Sequence, residues 1–125
     1  MILKLLVVDD EGEICDFLKS FFEERDYSVI TANSGEQALD RVKHEKPQVV
    51  LLDIKMPGMD GVQTLREIKA KFPKVKVIMV TAIETRDKIE ECLRLGDDNY
   101  ITKPLSLEYL ENDVREKIES TAKSS

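Results

Sequence analysis

The sequence predicts a doubly wound α/β domain: one parallel five-stranded sheet with helices on both faces. Three observations predict it. Short apolar runs alternate with amphipathic helical patterns five times along the chain. The first, third and fourth runs are nearly unbroken in Val, Ile, Leu and Met, as strands covered on both faces should be. The length, 125 residues, suits a single core and is short for two ordinary domains, so one domain is expected over 1–125.

The expected strands are Lys4–Val8, Ser28–Ala32, Gln48–Leu52, Val75–Val80 and Asn99–Thr102. The first helix carries Ile14, Phe17, Leu18, Phe21 and Phe22, the 3–4 spacing of one apolar stripe. The second starts at Ser34-Gly35-Glu36-Gln37, a capping-box pattern, and buries Ala38, Leu39 and Val42. Asp60 caps the third, which carries Val62, Leu65, Ile68 and Phe72. The fourth follows Thr85, carries Ile89, Cys92, Leu93 and Leu95, and stops at Gly96. The fifth follows Ser106 with Leu107, Leu110, Val114 and Ile118, and the tail Ser120–Ser125 is expected to fray.

Charge and composition narrow the function. Net charge is −6, which argues against a nucleic-acid-binding surface; tracking phosphates takes clustered Lys and Arg. No run is long enough for a membrane span, and the apolar N-terminal run stops within eight residues at two aspartates, so a cytoplasmic protein is expected. Cys15 and Cys92 lie in helical patterns and read as buried reduced thiols. His44, the only histidine, sits among charged residues as a solvated helix-end residue, so zinc sites and His-based triads lack their parts.

In a parallel doubly wound sheet, ligands sit beyond the carboxyl ends of the strands. There the sequence places Asp9-Asp10 after the first strand, Asp53 after the third, Thr81-Ala82 after the fourth and Lys103-Pro104 after the fifth. Each residue alone carries little. Together they are three carboxylates, a hydroxyl and an ammonium on one edge. Three carboxylates in one crevice repel each other unless a cation sits among them. Oxygen ligands of this kind suit Mg²⁺. A carboxylate can also attack phosphorus to form an aspartyl phosphate, while a metal, a lysine and a hydroxyl contact the phosphoryl oxygens. The set is complete for an Mg²⁺-dependent phosphoacceptor.

The stretches "LLVVDDEGEI", "VVLLDIKMPGMDG", "VIMVTA" and "GDDNYITKPL", in this order, resemble the response-regulator receiver domains of two-component signalling over about residues 3–119. The resemblance implies the flavodoxin-like strand order 2-1-3-4-5. It implies that Asp53 is phosphorylated, that Asp10 binds metal directly and Asp9 through water, and that the Lys55 carbonyl completes the metal shell. It makes Thr81 the switch hydroxyl, with Ala82 beside it, Lys103 the phosphoryl-binding lysine, and Tyr100 the aromatic that swings inward. Pro57 belongs to the turn Met56-Pro57-Gly58 after Asp53, Gly61 with Asp60 starts the third helix, and the Lys103-Pro104 bond is expected to be cis. The implied partners are a sensor histidine kinase or phosphotransfer protein, and an output domain or effector. The output partner reads the face from the fourth helix through the fifth strand to the fifth helix, which some members also use to form homodimers. A stand-alone receiver and a receiver cut from a longer regulator are both compatible with this reading.

Departures from the pattern are few. Asp97 stands where a small residue is usual, Asn99 precedes Tyr100, and Leu105 replaces a common Phe. Lys55 and Ile83 occupy positions that modulate loss of the phosphoryl group. Two rivals fit less well. A dehalogenase-type phosphatase needs a second Asp where Lys55 stands, and a nucleotide-binding protein needs a Gly-rich loop that "DDEGEI" lacks. A pseudo-receiver would lack an acidic residue or the lysine, and none is missing.

Overall fold

The computed structural model describes residues 2–124. Its five strands are β1 (Lys4–Val8), β2 (Ser28–Ala32), β3 (Val49–Asp53), β4 (Lys76–Thr81) and β5 (Asn99–Thr102). They pair in parallel, in the order β2-β1-β3-β4-β5. Three strands match the expected spans. β3 and β4 each sit one residue further along than the apolar runs suggest, because the ladder carries Asp53 opposite Val80 and Thr81 opposite Thr102. Asp53 and Thr81 are thus the last residues of their strands and share the rigidity of the sheet.

Strand alternation sorts the core into two layers. Leu5, Val7, Val49 and Leu51 face α1 (Gly12–Glu23) and the C-terminal helix, meeting Leu18, Phe22, Leu110, Val114 and Ile118. Leu6, Val8, Val50 and Leu52 face α2 (Gly35–Glu45), α3 (Gly61–Lys71) and α4 (Ile89–Leu95), meeting Ala38, Val42, Leu65, Ile68 and Cys92. Both cysteines are buried and free, as expected. Three apolar residues expected in the core are exposed: Phe17, Leu93 and Leu107. Phe17 and Leu93 each adjoin a buried residue, Leu18 and Cys92, on the flank of a stripe wider than its contact with the sheet, and Leu107 lies at the start of its helix, a turn before buried Leu110.

Ser34 and Asp60 cap α2 and α3, their side-chain oxygens accepting from the Gln37 and Gln63 N–H groups at 3.1 and 2.9 Å. The Gln37 side chain closes its half of the box on the Asn33 N–H rather than on Ser34. The fourth helix begins differently from the expected pattern: a 3₁₀ helix, Ile83–Lys88, precedes α4. The C-terminal helix, α5 (107–123), contains α-helical Leu107–Tyr109, a π-helical turn Leu110–Val114 and α-helical Arg115–Lys123. The expected fraying at Ser120 is not seen within the described residues. Thr121 is buried and Ala122 packs on the core; Ser125 lies outside the described residues.

Candidate functional site

Register builds the site before any side chain is considered. β1 and β3 pair Val8 with Leu52, so the next residue of each strand is an aspartate: Asp9 beside Asp53. Both continue the odd-numbered face of their strands, the side of the sheet covered by α1 and α5. Asp10 follows the other parity and is exposed. Asp9 and Asp53 are 3% and 6% exposed, so two carboxylates end up nearly dry.

Lys103 reaches in from the end of β5. Its Nζ donates to Asp9 Oδ2 at 3.3 Å and to Asp53 Oδ2 at 3.4 Å. Carboxylate oxygens of Asp9, Asp10 and Asp53 all lie within 4.8 Å of one another. One ammonium therefore faces three carboxylates, and the site keeps a negative surplus. Burial, then the Asp9 charge, push the Asp53 carboxyl up from 3.8 to about 6, against the pull of Lys103 and the Lys55 backbone amide. Burial works against the Lys103 ammonium, yet Asp53 and Asp9 hold its pKa above the ordinary lysine value. A compact set of hard oxygen donors with uncompensated charge fits a divalent cation, and the donor chemistry suits Mg²⁺.

The turn after Asp53 is fixed by Gly61. A Cβ there would lie 2.1 Å from the Asp53 carbonyl oxygen, so only glycine lets α3 start this close to the strand end. The Gly61 N–H closes the loop on the Ile54 carbonyl at 2.8 Å. Within the turn Gly58 has φ +71°, Pro57 is exposed and Met56 is buried beneath. The Lys55 side chain points to solvent, 4.0 Å from Glu84. The Lys103-Pro104 bond is cis, as expected.

Thr81 is buried, and its hydroxyl donates to the Ile101 carbonyl of β5 at 3.2 Å rather than to any site carboxylate. The Ala82 N–H is engaged by Thr85 Oγ1 at 2.9 Å. Tyr100 points outward, 41% exposed. Asp9, Asp53 and Lys103 are therefore in direct contact, Asp10 borders them, and Thr81, Ala82 and Tyr100 stand apart. Sequence reasoning missed Thr85, whose buried hydroxyl braces Ala82, and the Cys15 thiol, which donates to the Asp9 carbonyl at 3.4 Å. Burial, then the Asp9 charge, raise the Cys15 pKa, so this thiol stays protonated behind the site. Neither residue carries a motif; both roles depend on packing.

A model of the response regulator receiver domain matches residues 5–115. The chain belongs to that family. It is 36% identical over 119 residues to the transcriptional regulatory protein ZraR of Escherichia coli (strain K12), covering 95% of this chain and 27% of that protein. It thus spans about a quarter of that curated relative. A CheY-like receiver domain protein from Methanospirillum hungatei JF-1 superposes with a TM-score of 0.88 at 30% identity, covering 100% of both chains. The response regulator domain of Thermotoga maritima CheB gives 0.88 at 31% identity, covering 100% of this chain and 99% of that one. The sheet order is the one these relatives imply, and the chain is a signal-transduction receiver. No helix among the described residues is long and apolar enough to cross a membrane.

Proposed function

We propose that this receiver is a phosphorylation switch in which Asp53 accepts a phosphoryl group from a sensor histidine kinase or a phosphotransfer protein. The observation that carries it is the buried Asp9–Lys103–Asp53 arrangement at the carboxyl rim of the sheet. An Asp53 oxygen bonds to phosphorus as the P–N bond of phosphohistidine breaks. Asp9, Asp10, Asp53 and the Lys55 carbonyl would hold Mg²⁺, whose charge, when bound, offsets that of the phosphoryl oxygens. Lys103, already hydrogen-bonded to Asp53, shifts its donor to a phosphoryl oxygen. Thr81 exchanges the Ile101 carbonyl for another, the Ala82 N–H turns from Thr85 toward the same group, and Tyr100 follows inward.

The product adds about 1.5–2 negative charges to the rim. The α4–β5–α5 face then changes arrangement, and an output domain, an effector or a second copy reads it. An apolar groove of about 450 Å³, lined by Ile14, Phe17, Ala82, Ile83, Pro104 and Leu105, adjoins Lys103 and offers the phosphodonor an apolar footing. Residues 3–119 form the working domain, in the cytoplasm, with no nucleic-acid contact of its own and no turnover beyond its own phosphorylation and dephosphorylation. The test is uptake of phosphate from a small-molecule phosphodonor with Mg²⁺. Wild type takes up one group and Asp53→Asn takes up none; uptake by Asp53→Asn at the wild-type rate refutes the assignment.

A further inference from the structure

β5 is an edge strand, and its outward backbone is covered by side chains rather than by another strand. Asn99 Oδ1 accepts from the Tyr100 N–H at 2.9 Å, and Tyr109 Oη accepts from the Thr102 N–H at 3.2 Å. Lys117 Nζ, from α5, donates to the Tyr100 carbonyl at 3.1 Å. Covering an open edge in this way blocks unwanted strand pairing. Lys117 alone makes a second contact: its ammonium lies 5.6 Å from the centroid of the Tyr100 ring, within range of a cation–π interaction.

The ring has somewhere else to go. On the α4 side of β5 is a hollow of about 220 Å³ lined by Ile89, Leu93, Asp97 and Asn99, with Tyr100 at its edge. The next residue, Ile101, is held from the site side by the Thr81 hydroxyl. Two contacts from opposite sides thus fix one short stretch of backbone: Thr81 on Ile101 and Lys117 on Tyr100.

We propose that Lys117 is a latch that holds Tyr100 outward, so that the ring enters the α4–β5 hollow only when this contact is given up. The proposal rests on the phosphorylation-switch reading, in which movement of Thr81 loosens β5 from the other side. Lys117 is a positioning residue: it touches neither the carboxylates nor the phosphoryl group. Removing its ammonium should shift the inward-to-outward ratio of Tyr100 by about 3- to 10-fold, given the usual strength of an exposed cation–π contact plus one hydrogen bond. By linkage, affinity for a ligand that favours the inward state should rise by the same factor.

The experiment uses protein labelled with 3-fluorotyrosine, the Tyr100 fluorine resonance being assigned with Tyr100→Phe. Beryllofluoride with Mg²⁺ serves as the phosphoryl mimic. Lys117→Met, which keeps the aliphatic stem, should move the Tyr100 resonance part of the way to its mimic-bound position and tighten mimic binding about 3- to 10-fold. Lys117→Arg should restore both. Tyr109→Phe, which uncovers the same edge without touching the ring, should speed amide exchange in β5 and leave the Tyr100 resonance and mimic affinity unchanged. A Lys117→Met protein with an unmoved Tyr100 resonance overturns the latch, and so does a Tyr109→Phe protein that behaves like Lys117→Met. The resonance without ligand reads the latch alone; failure of wild type to bind the mimic would refute the switch instead.

Discussion

Both ends of this sheet carry buried or half-buried lysine–carboxylate clusters, and the two are balanced in opposite ways. At the carboxyl rim one lysine, Lys103, serves Asp9 and Asp53 with Asp10 close by. At the other end one carboxylate, Asp98, serves two lysines: Lys69 Nζ lies 2.8 Å away and Lys76 Nζ 4.0 Å. Asp98 also accepts from the Val77 N–H at 2.8 Å, so its oxygens are satisfied by the chain itself. The second cluster is finished and ties α3 to β4 and the loop entering β5. The first has surplus charge and room for a further cation. Incomplete compensation marks the functional end of the sheet; complete compensation marks the structural end.

That contrast can be broken from either side. The largest effect is expected from Lys103→Met, which takes from two nearly dry carboxylates the one cation paired with them among the described residues. Phosphoryl uptake with Mg²⁺ should slow by about 100-fold, as when a transition-state donor is lost, measured as a single-turnover rate. Asp98→Ala should cost about 1–3 kcal/mol of stability in urea unfolding, because the Val77 N–H loses its acceptor, while Lys69 keeps the Val75 carbonyl at 2.8 Å. It should leave the phosphorylation rate within a factor of two or so, since nothing at the rim touches Asp98. A large rate effect there would erase the distinction between the two ends.

Asp53→Asn sharpens the comparison through pH. The folded pKa of Asp53, about 6, lies above its ordinary 3.8, so folding favours the protonated acid. Its ionisation penalty is absent below about pH 4 and complete above the folded pKa. Without Mg²⁺, Asp53→Asn should therefore be about 2–3 kcal/mol more stable than wild type at pH 7. The gain should vanish by about pH 4; one independent of pH would contradict the electrostatic account. The smallest effect is expected at Asp97, where burial first and then Asp98 raise the pKa to about 6. This half-buried group is partly screened, so Asp97→Asn should add only about 1 kcal/mol at pH 7, again lost toward pH 4.

Much of this was legible in the sequence because it is local. Apolar runs gave the strands, Ser34, Asp60 and Ser106 gave helix starts, and the strand-end aspartates and lysine gave the site. Asp9 and Asp53 could be matched before any coordinates, since each follows an apolar run in a parallel sheet. What the sequence hid depends on the width of a contact or on a partner far along the chain. Phe17, Leu93 and Leu107 fit their helical stripes and still face solvent. The 3₁₀ turn before α4 and the π turn in α5 leave the apolar spacing readable either way. Thr85 and Lys117 have no motif, and their roles come from Ala82 and Tyr100 folding against them.

The central claim is that the cation-deficient rim exists to make Asp53, and neither neighbouring aspartate, the phosphoacceptor. The most direct measurement is to phosphorylate the protein with a small-molecule donor and Mg²⁺, reduce the acyl phosphate with borohydride, and map the resulting homoserine by peptide mass spectrometry. Homoserine at position 53 alone, and none when Mg²⁺ is withheld, is the predicted result. Homoserine at position 9 or 10, or equal labelling without Mg²⁺, would contradict it.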